Sequence, residues 1–179
     1  MTRANAVVEI VPFETGWSDR FLRTRTLLST VFHGASIEHI GSTSVHGLSS
    51  KDTIDVAVGV PDVAAALSPA AVGSLTRLGF EYVPASFAED PDHAFLQRII
   101  ADHRTDHVHV MRLGSNTWIQ RLRFRDYLRA HPDAAVRYER AKLELADRFH
   151  DDRDGYVQRK QPIVESLMVE ARRWAEESR

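Results

Sequence analysis

Apolar and polar positions along this chain follow two periods, and the change of period divides it. From residue 53 to 60 the period is two: Ile54, Val56 and Val58 fall on one side of an extended segment, and Asp55, Ala57 and Gly59 on the other. A shorter strand over 37–40 ends at a Gly41-Ser42 turn, and a looped or briefly helical stretch with a break at Gly47 links the two. Residues 7–13 read as a strand that Pro12 ends or confines to a sheet edge. Residues 80–83, 94–100 and 107–112 are also strand-like, the last two joined by the polar turn 101–104 into an antiparallel pair. Helical spacing appears at 17–32, carried by Trp17, Phe21, Leu28, Val31 and Phe32 with Gly34 as the stop. It returns in two pieces between Pro61 and Gly79, broken near Ser68-Pro69.

Beyond Leu113 only the helical period remains. Thr117 and Gln120 are spaced as a capping box for a helix that turns Trp118, Leu122 and Leu128 to one face. Pro132 opens a second helix with Ala134, Tyr138, Ala141, Leu145 and Phe149 inward, and a third over 155–175 carries Tyr156, Ile163, Leu167, Ala171 and Trp174. Arg121, Arg123, Arg125 and Arg129 read as a solvated helix face. The pattern predicts one domain, 1–179, of the α/β (α+β) class: a small mixed sheet with helices in 1–113, backed by an all-helical 114–179.

Bulk properties narrow the function rather than the fold. At 179 residues the chain can bury a core without a staple, and 43 % apolar and 27 % charged residues are those of an ordinary globular protein. A net charge of −2 gives no bulk argument for nucleic-acid or anionic-membrane binding. With no cysteine, disulfides, thiolate nucleophiles and Cys-ligated zinc are excluded. No apolar run has the length of a leader or a membrane span, so a cytoplasmic location is expected.

Two groups of residues could carry chemistry. Asp55 lies opposite the aliphatic row of its strand, shortly after a Gly-Ser turn whose N–H groups and hydroxyls suit an anion, and its oxygens suit a hard cation. The plain alternative is a capping Asp on a half-buried strand. His107 and His109, two apart, share a face and suit metal ligation or general acid–base work, or are simply a pair of strand-edge histidines. Asp92-His93 and Arg104-Thr105-Asp106 gather further titratable groups at that end of the hairpin, and Arg98 is expected to reach the same face as a phosphate clamp. Other signatures fail: Met111 stands where a third alternating histidine would be needed, and there is neither a Walker loop nor a dinucleotide glycine fingerprint.

Several stretches in the same order, VPF-x3-W from Val11 to Trp17, IEHIGSTSVHGL with the following KDTIDVAV, RTDHVHV, FRDYLRAHP and YERAKLELADRF, resemble the GrpB family. That group is assigned to the nucleotidyltransferase-like fold, and the resemblance covers nearly the whole chain. It implies a small mixed sheet flanked by helices, with the Gly41-Ser42 turn and Asp55 where that fold binds nucleotide phosphates and a divalent metal. Active members of the fold carry an Asp-x-Asp/Glu pair plus a later acid, which hold two metals. Here Ala57 replaces the second acid and His107 and His109 occupy the later strand, so manganese or zinc is expected rather than magnesium. The implied activity is that of a nucleotidyltransferase-like transferase acting on a nucleotide or phosphorylated small molecule. Asp55, His107 and His109 would be catalytic and metal-binding, while Gly41, Ser42, Thr43, Lys51, Arg98 and Arg104 would hold phosphates. The alternatives are a non-catalytic nucleotide- or anion-binding module and a repurposed enzyme performing acid–base or hydrolytic chemistry on a small metabolite. No organic cofactor is implied.

Overall fold

Alternating branched aliphatics build the sheet in two local pieces. β1 (Ser36–Ile40) and β2 (Ile54–Val60) pair antiparallel, with Ile40 opposite Asp55 and Glu38 opposite Ala57. β3 (Phe80–Tyr82), β4 (His93–Ile100) and β5 (His103–Arg112) form an antiparallel meander. The pieces join where β2 runs parallel to β5, giving the strand order β1-β2-β5-β4-β3. This computed structural model describes residues 7–177; residues 1–6, part of the N-terminal stretch read above, and 178–179 lie outside the described residues.

Two strand expectations need correction. The β4–β5 turn is not 101–104 but Ala101-Asp102 alone, at φ 49° and 63°. Two consecutive left-handed residues match the twist of a hairpin, so His103 and Arg104 belong to β5. Residues 7–13 do not form a strand: Val11 and Ser50 exchange two backbone hydrogen bonds, of 2.8 and 3.0 Å, and Pro12 has no N–H with which to continue.

Three helices, α1 (Gly16–Ser29), α2 (Val63–Ala66) and α3 (Pro69–Arg77), accompany the aliphatic face, where Trp17, Leu28, Val56, Val58, Leu75, Leu96, Val108 and Val110 form the main core. Toward the opposite face lie α4 (Asn116–Ala130), α5 (Pro132–Arg148) and α6 (Arg153–Glu177). Pro132 occupies the first turn of α5 as expected. The capping box is not used: Ser115 Oγ accepts from Trp118 N at 3.2 Å, while Thr117 Oγ1 donates to Asp90 at 3.2 Å and Gln120 reaches Asn116 at 3.3 Å. Gly59 lets α4 approach the sheet, since a Cβ there would lie 2.9 Å from the Trp118 ring, which packs with Ile40, Ala57 and Met111.

The helical third shares its apolar surface with the front. Tyr138 and Leu167 pack with Val45 and Leu48, and Val8 packs with Ala146 and Tyr156. Truncation after Leu113 is therefore expected to leave an insoluble or molten product. A soluble fragment with a sharp thermal transition would show that the front folds alone. Among the described residues no helix is long and apolar enough to cross a membrane.

Candidate functional site

The parallel register of β2 and β5 places Asp55 beside His107 and Ala57 beside His109, on the face turned away from the main core. His107 Nδ1 is 3.1 Å from Asp55 Oδ1. Burial pushes the Asp55 carboxyl up, but the hydrogen bond from His107 and the charges of His107, His109 and Lys160 together prevail and hold it at about 2. An ionised carboxylate can only accept, so the proton belongs on Nδ1 of His107; Nε2 is buried and makes no hydrogen bond. The Asp55 side chain keeps 29 % of its surface exposed, so a ligand can reach it. Gly41, at φ 70° and ψ −174°, passes so close that a Cβ there would lie 2.9 Å from the Asp55 Cβ and Cγ, and closer still to Oδ2.

Cations from four segments surround this carboxylate: Lys51 before β2, Arg121 on α4, Lys142 on α5 and Lys160 on α6. Lys142 is buried and donates to Ser42 Oγ at 3.0 Å and to the Ser49 carbonyl, with Nζ 4.8 Å above the Tyr138 ring. Burial, then the charge of Lys160, lowers Lys142 to about 7, and the same two causes lower Lys51 to about 8. Lys51 and Lys160 share the ring of Tyr156, at 4.9 and 5.5 Å. Arg121 is exposed, and burial of its guanidinium lowers its pKa while Asp55 raises it. Two carboxylates, Asp55 and Glu139, act on these four cations, and the surplus of positive charge favours an anionic ligand.

Beyond His107 the imidazoles continue along the face. His109 Nδ1 lies 2.9 Å from His93 Nε2. Burial and then Arg121 lower both, His93 to about 4, so each ring is neutral near pH 7.

Gly41, Ser42, Lys51, Asp55 and His107 are thus gathered about the start of β2, with His109 two residues further along the same face of β5. Two predicted ligands are not. Thr43 Oγ1 is engaged with His39 Nε2 at 3.0 Å, and Arg98, paired with Asp106, lies on the opposite face with its guanidinium 5.4 Å over Phe80. Arg104 borders the cleft, where its charge acts on Lys51. The solvated arginine face holds for Arg121 and Arg129, which are exposed, but not for Arg125, which is buried against Glu38 and the His39 carbonyl; Arg129 also donates twice to the Ser44 carbonyl, at 2.9 and 2.8 Å. Sequence reasoning missed Lys142 and Lys160, and read Arg121 only as part of a solvated face; His93 was grouped with Arg104 and Asp106 at one end of the hairpin, whereas the register puts it at the other end, opposite Met111. For Lys142 a signal existed, since counting four on from Tyr138 enters the inward row and meets a lysine.

The fold's usual metal can be tested against these donors. Asp55 and His107 are bonded to each other and His109 to His93, and among the described residues no three His, Asp or Glu side chains form a ligand set. The donors as placed do not fit a metal, and no chemistry is routed through one here.

A five-stranded mixed sheet with a helical back sets the fold class, a mixed α/β protein. The model of the family described as GrpB protein matches residues 7–170, and the chain belongs to that family. A UPF0157 protein of Deinococcus radiodurans is 33 % identical over 171 residues, 95 % of this chain and 86 % of that protein. Another, from Pseudomonas aeruginosa, is 32 % identical over 177 residues, 92 % and 67 % respectively. The crystal structure of the conserved protein GrpB from Enterococcus faecalis superimposes with a TM-score of 0.82 at 28 % identity, covering 91 % of this chain and 96 % of that one.

Proposed function

We propose that this protein is an enzyme acting on a nucleotide or phosphorylated small molecule, with the anion seated in the Asp55 cleft. The observation that carries this reading is the placement of Lys142 against Ser42, next to the Gly41–Asp55 contact, with Lys51 and Lys160 over the one ring of Tyr156 and the charges of Lys51, Lys142, Lys160 and Arg121 all felt at Asp55. The ammonium groups and Ser42 receive phosphate oxygens. Asp55 fixes His107 with its proton on Nδ1, the arrangement by which a carboxylate orients an imidazole for proton transfer. A second reading, a binding module without turnover, is favoured by Ala57, which stands where the fold's active members carry a second acid.

Calorimetric titration with tripolyphosphate and with nucleoside triphosphates tests both. Lys142→Met is expected to lower affinity at least tenfold, whereas Asp55→Asn, which removes the negative charge, should bind as tightly or more so. Product analysis then divides the readings: turnover that Asp55→Asn reduces by roughly 100-fold supports the enzyme, and binding without products supports the module. If none of the probes binds the parent, both readings fall. Affinity should also decline as pH rises through 7 to 8, because Lys142 and Lys51 lose their protons there. Affinity that is flat from pH 6 to 9 would mean that these lysines do not hold the anion.

A further inference from the structure

Phe87 lies in the turn between β3 and β4, with its backbone in the left-handed region at φ 62°. Bulky side chains seldom adopt that conformation, and such outliers gather at ligand sites. The turn is fastened: Ser86 N donates to the Val83 carbonyl at 3.0 Å, Asp90 N to that of Phe87 at 2.9 Å and His93 N to that of Asp90 at 3.1 Å. Thr117 of α4 holds the Asp90 side chain from the other side.

What this conformation achieves is the placement of one ring. Phe87 stacks on His93 with centroids 3.9 Å apart and planes at 25°, and the rings of Phe95 and His109 meet it at steep angles, 6.1 and 5.7 Å away. Even so, Phe87 remains 42 % exposed. A phenyl group serving only to fill space would be drawn beneath the turn, whereas this one is backed by an aromatic cluster and left open. His93, Phe95 and His109 belong to the face that carries Asp55, and β4 lies two strand spacings, roughly 10 Å, from β2. His109, whose ring meets that of Phe87, is paired with Ala57, two residues on from Asp55, so the aromatic cluster adjoins the Asp55–His107 pair along the same face.

We infer that the Phe87–His93 stack is a base-binding subsite of the same cleft: a planar nucleobase lies against Phe87 while its phosphates reach Lys51, Lys142 and Lys160. This rests on the anion reading above and narrows the ligand from any phosphorylated molecule to a nucleotide. Stacking on an aromatic ring is tolerant of base identity, and its loss typically weakens binding by about 5- to 150-fold.

The test uses tripolyphosphate, which has no base; ATP, GTP, CTP and UTP; and the four corresponding nucleosides, which have no phosphate. At least one triphosphate should bind the parent ten or more times as tightly as tripolyphosphate. Phe87→Leu should abolish that margin while leaving tripolyphosphate affinity unchanged, and Phe87→Tyr should preserve it. The fluorescence added by Phe87→Trp, relative to the parent, should be quenched by a nucleoside alone. A Phe87→Leu protein that loses affinity equally for tripolyphosphate and nucleotide, or loses none, would overturn the subsite. If tripolyphosphate and all four triphosphates fail to bind the parent, the anion reading fails; nucleoside quenching in Phe87→Trp would then still support the base subsite, and its absence would overturn it too.

Discussion

Acidification from pH 6.5 to 4 is expected to unfold the protein, with the loss of stability beginning above the range in which carboxylates protonate. His39 is buried, stacked on Phe21 at 4.7 Å and bonded to Thr43, and burial, opposed by Asp55 and reinforced by Arg129 and Arg125, lowers it to about 4. His93 is lowered to about 4 as well, and His109 lies well below its ordinary value. In the unfolded chain these rings take up protons near pH 6.5, whereas in the fold they resist until about 4. Below 6.5 the unfolded state therefore binds more protons, and stability falls with each further drop in pH until the folded rings protonate too. His39 and His93 alone each correspond to roughly 3 kcal/mol across that window, against a total of about 5–15 kcal/mol for a domain. Thermal melts from pH 7.5 to 4 should show a steep fall beginning near 6.5. A melting temperature constant to pH 4.5 would mean that the imidazoles are hydrated in the folded protein.

Gly41→Ala should be the most damaging single-methyl change in the chain. Its φ of 70° with ψ of −174° belongs to a region open essentially to glycine alone, and the new Cβ would strike Asp55, a residue pinned by His107. Strain of about 1–3 kcal/mol is added to a clash that the strand cannot relieve by shifting, because Asp55 is paired on both sides, with Ile40 of β1 and His107 of β5. The variant should melt far below the parent and bind no polyphosphate. The control is Gly34→Ala, which has a similar φ of 72° and open space around the added Cβ, so that it carries the strain without the collision. Equal losses in the two variants would assign the whole effect to backbone strain.

Much of the fold was legible because period-two alternation and helix stops are local signals. β2, the two helical pieces broken at Ser68-Pro69, and the start of α5 at Pro132 all follow from neighbouring residues. The same alternation brought Asp55 and His107 to one face, although their adjacency depends on a parallel pairing that only the whole topology supplies. It also argues against Arg98, which falls on the row of Ala94 and Leu96 rather than that of Phe95 and Gln97. The turn at Ala101-Asp102 was overestimated because His103 and Arg104 are polar, yet two left-handed residues suffice to reverse the chain. The cationic wall was legible only at Lys142, whose place in the inward row of α5 marks it as buried. Lys160 and Arg121 come from two other helices whose relative docking no periodicity encodes, and lysine or arginine in a helix ordinarily signals solvent.

The parallel seam between β2 and β5 also bears on how the molecule assembles. On either side of it, β1–β2 and β3–β4–β5 are consecutive in sequence and pair antiparallel, through residues 41–53 and 83–92 and the tight turn at 101–102. Asp55 and His107, by contrast, meet across 52 residues. Closing a loop of that length is slower than zipping a hairpin, so the seam is expected to be the late step of sheet formation. The Asp–His pair then does not exist in any partly folded chain: it arises when the two halves dock, and its formation marks the arrival of the native sheet.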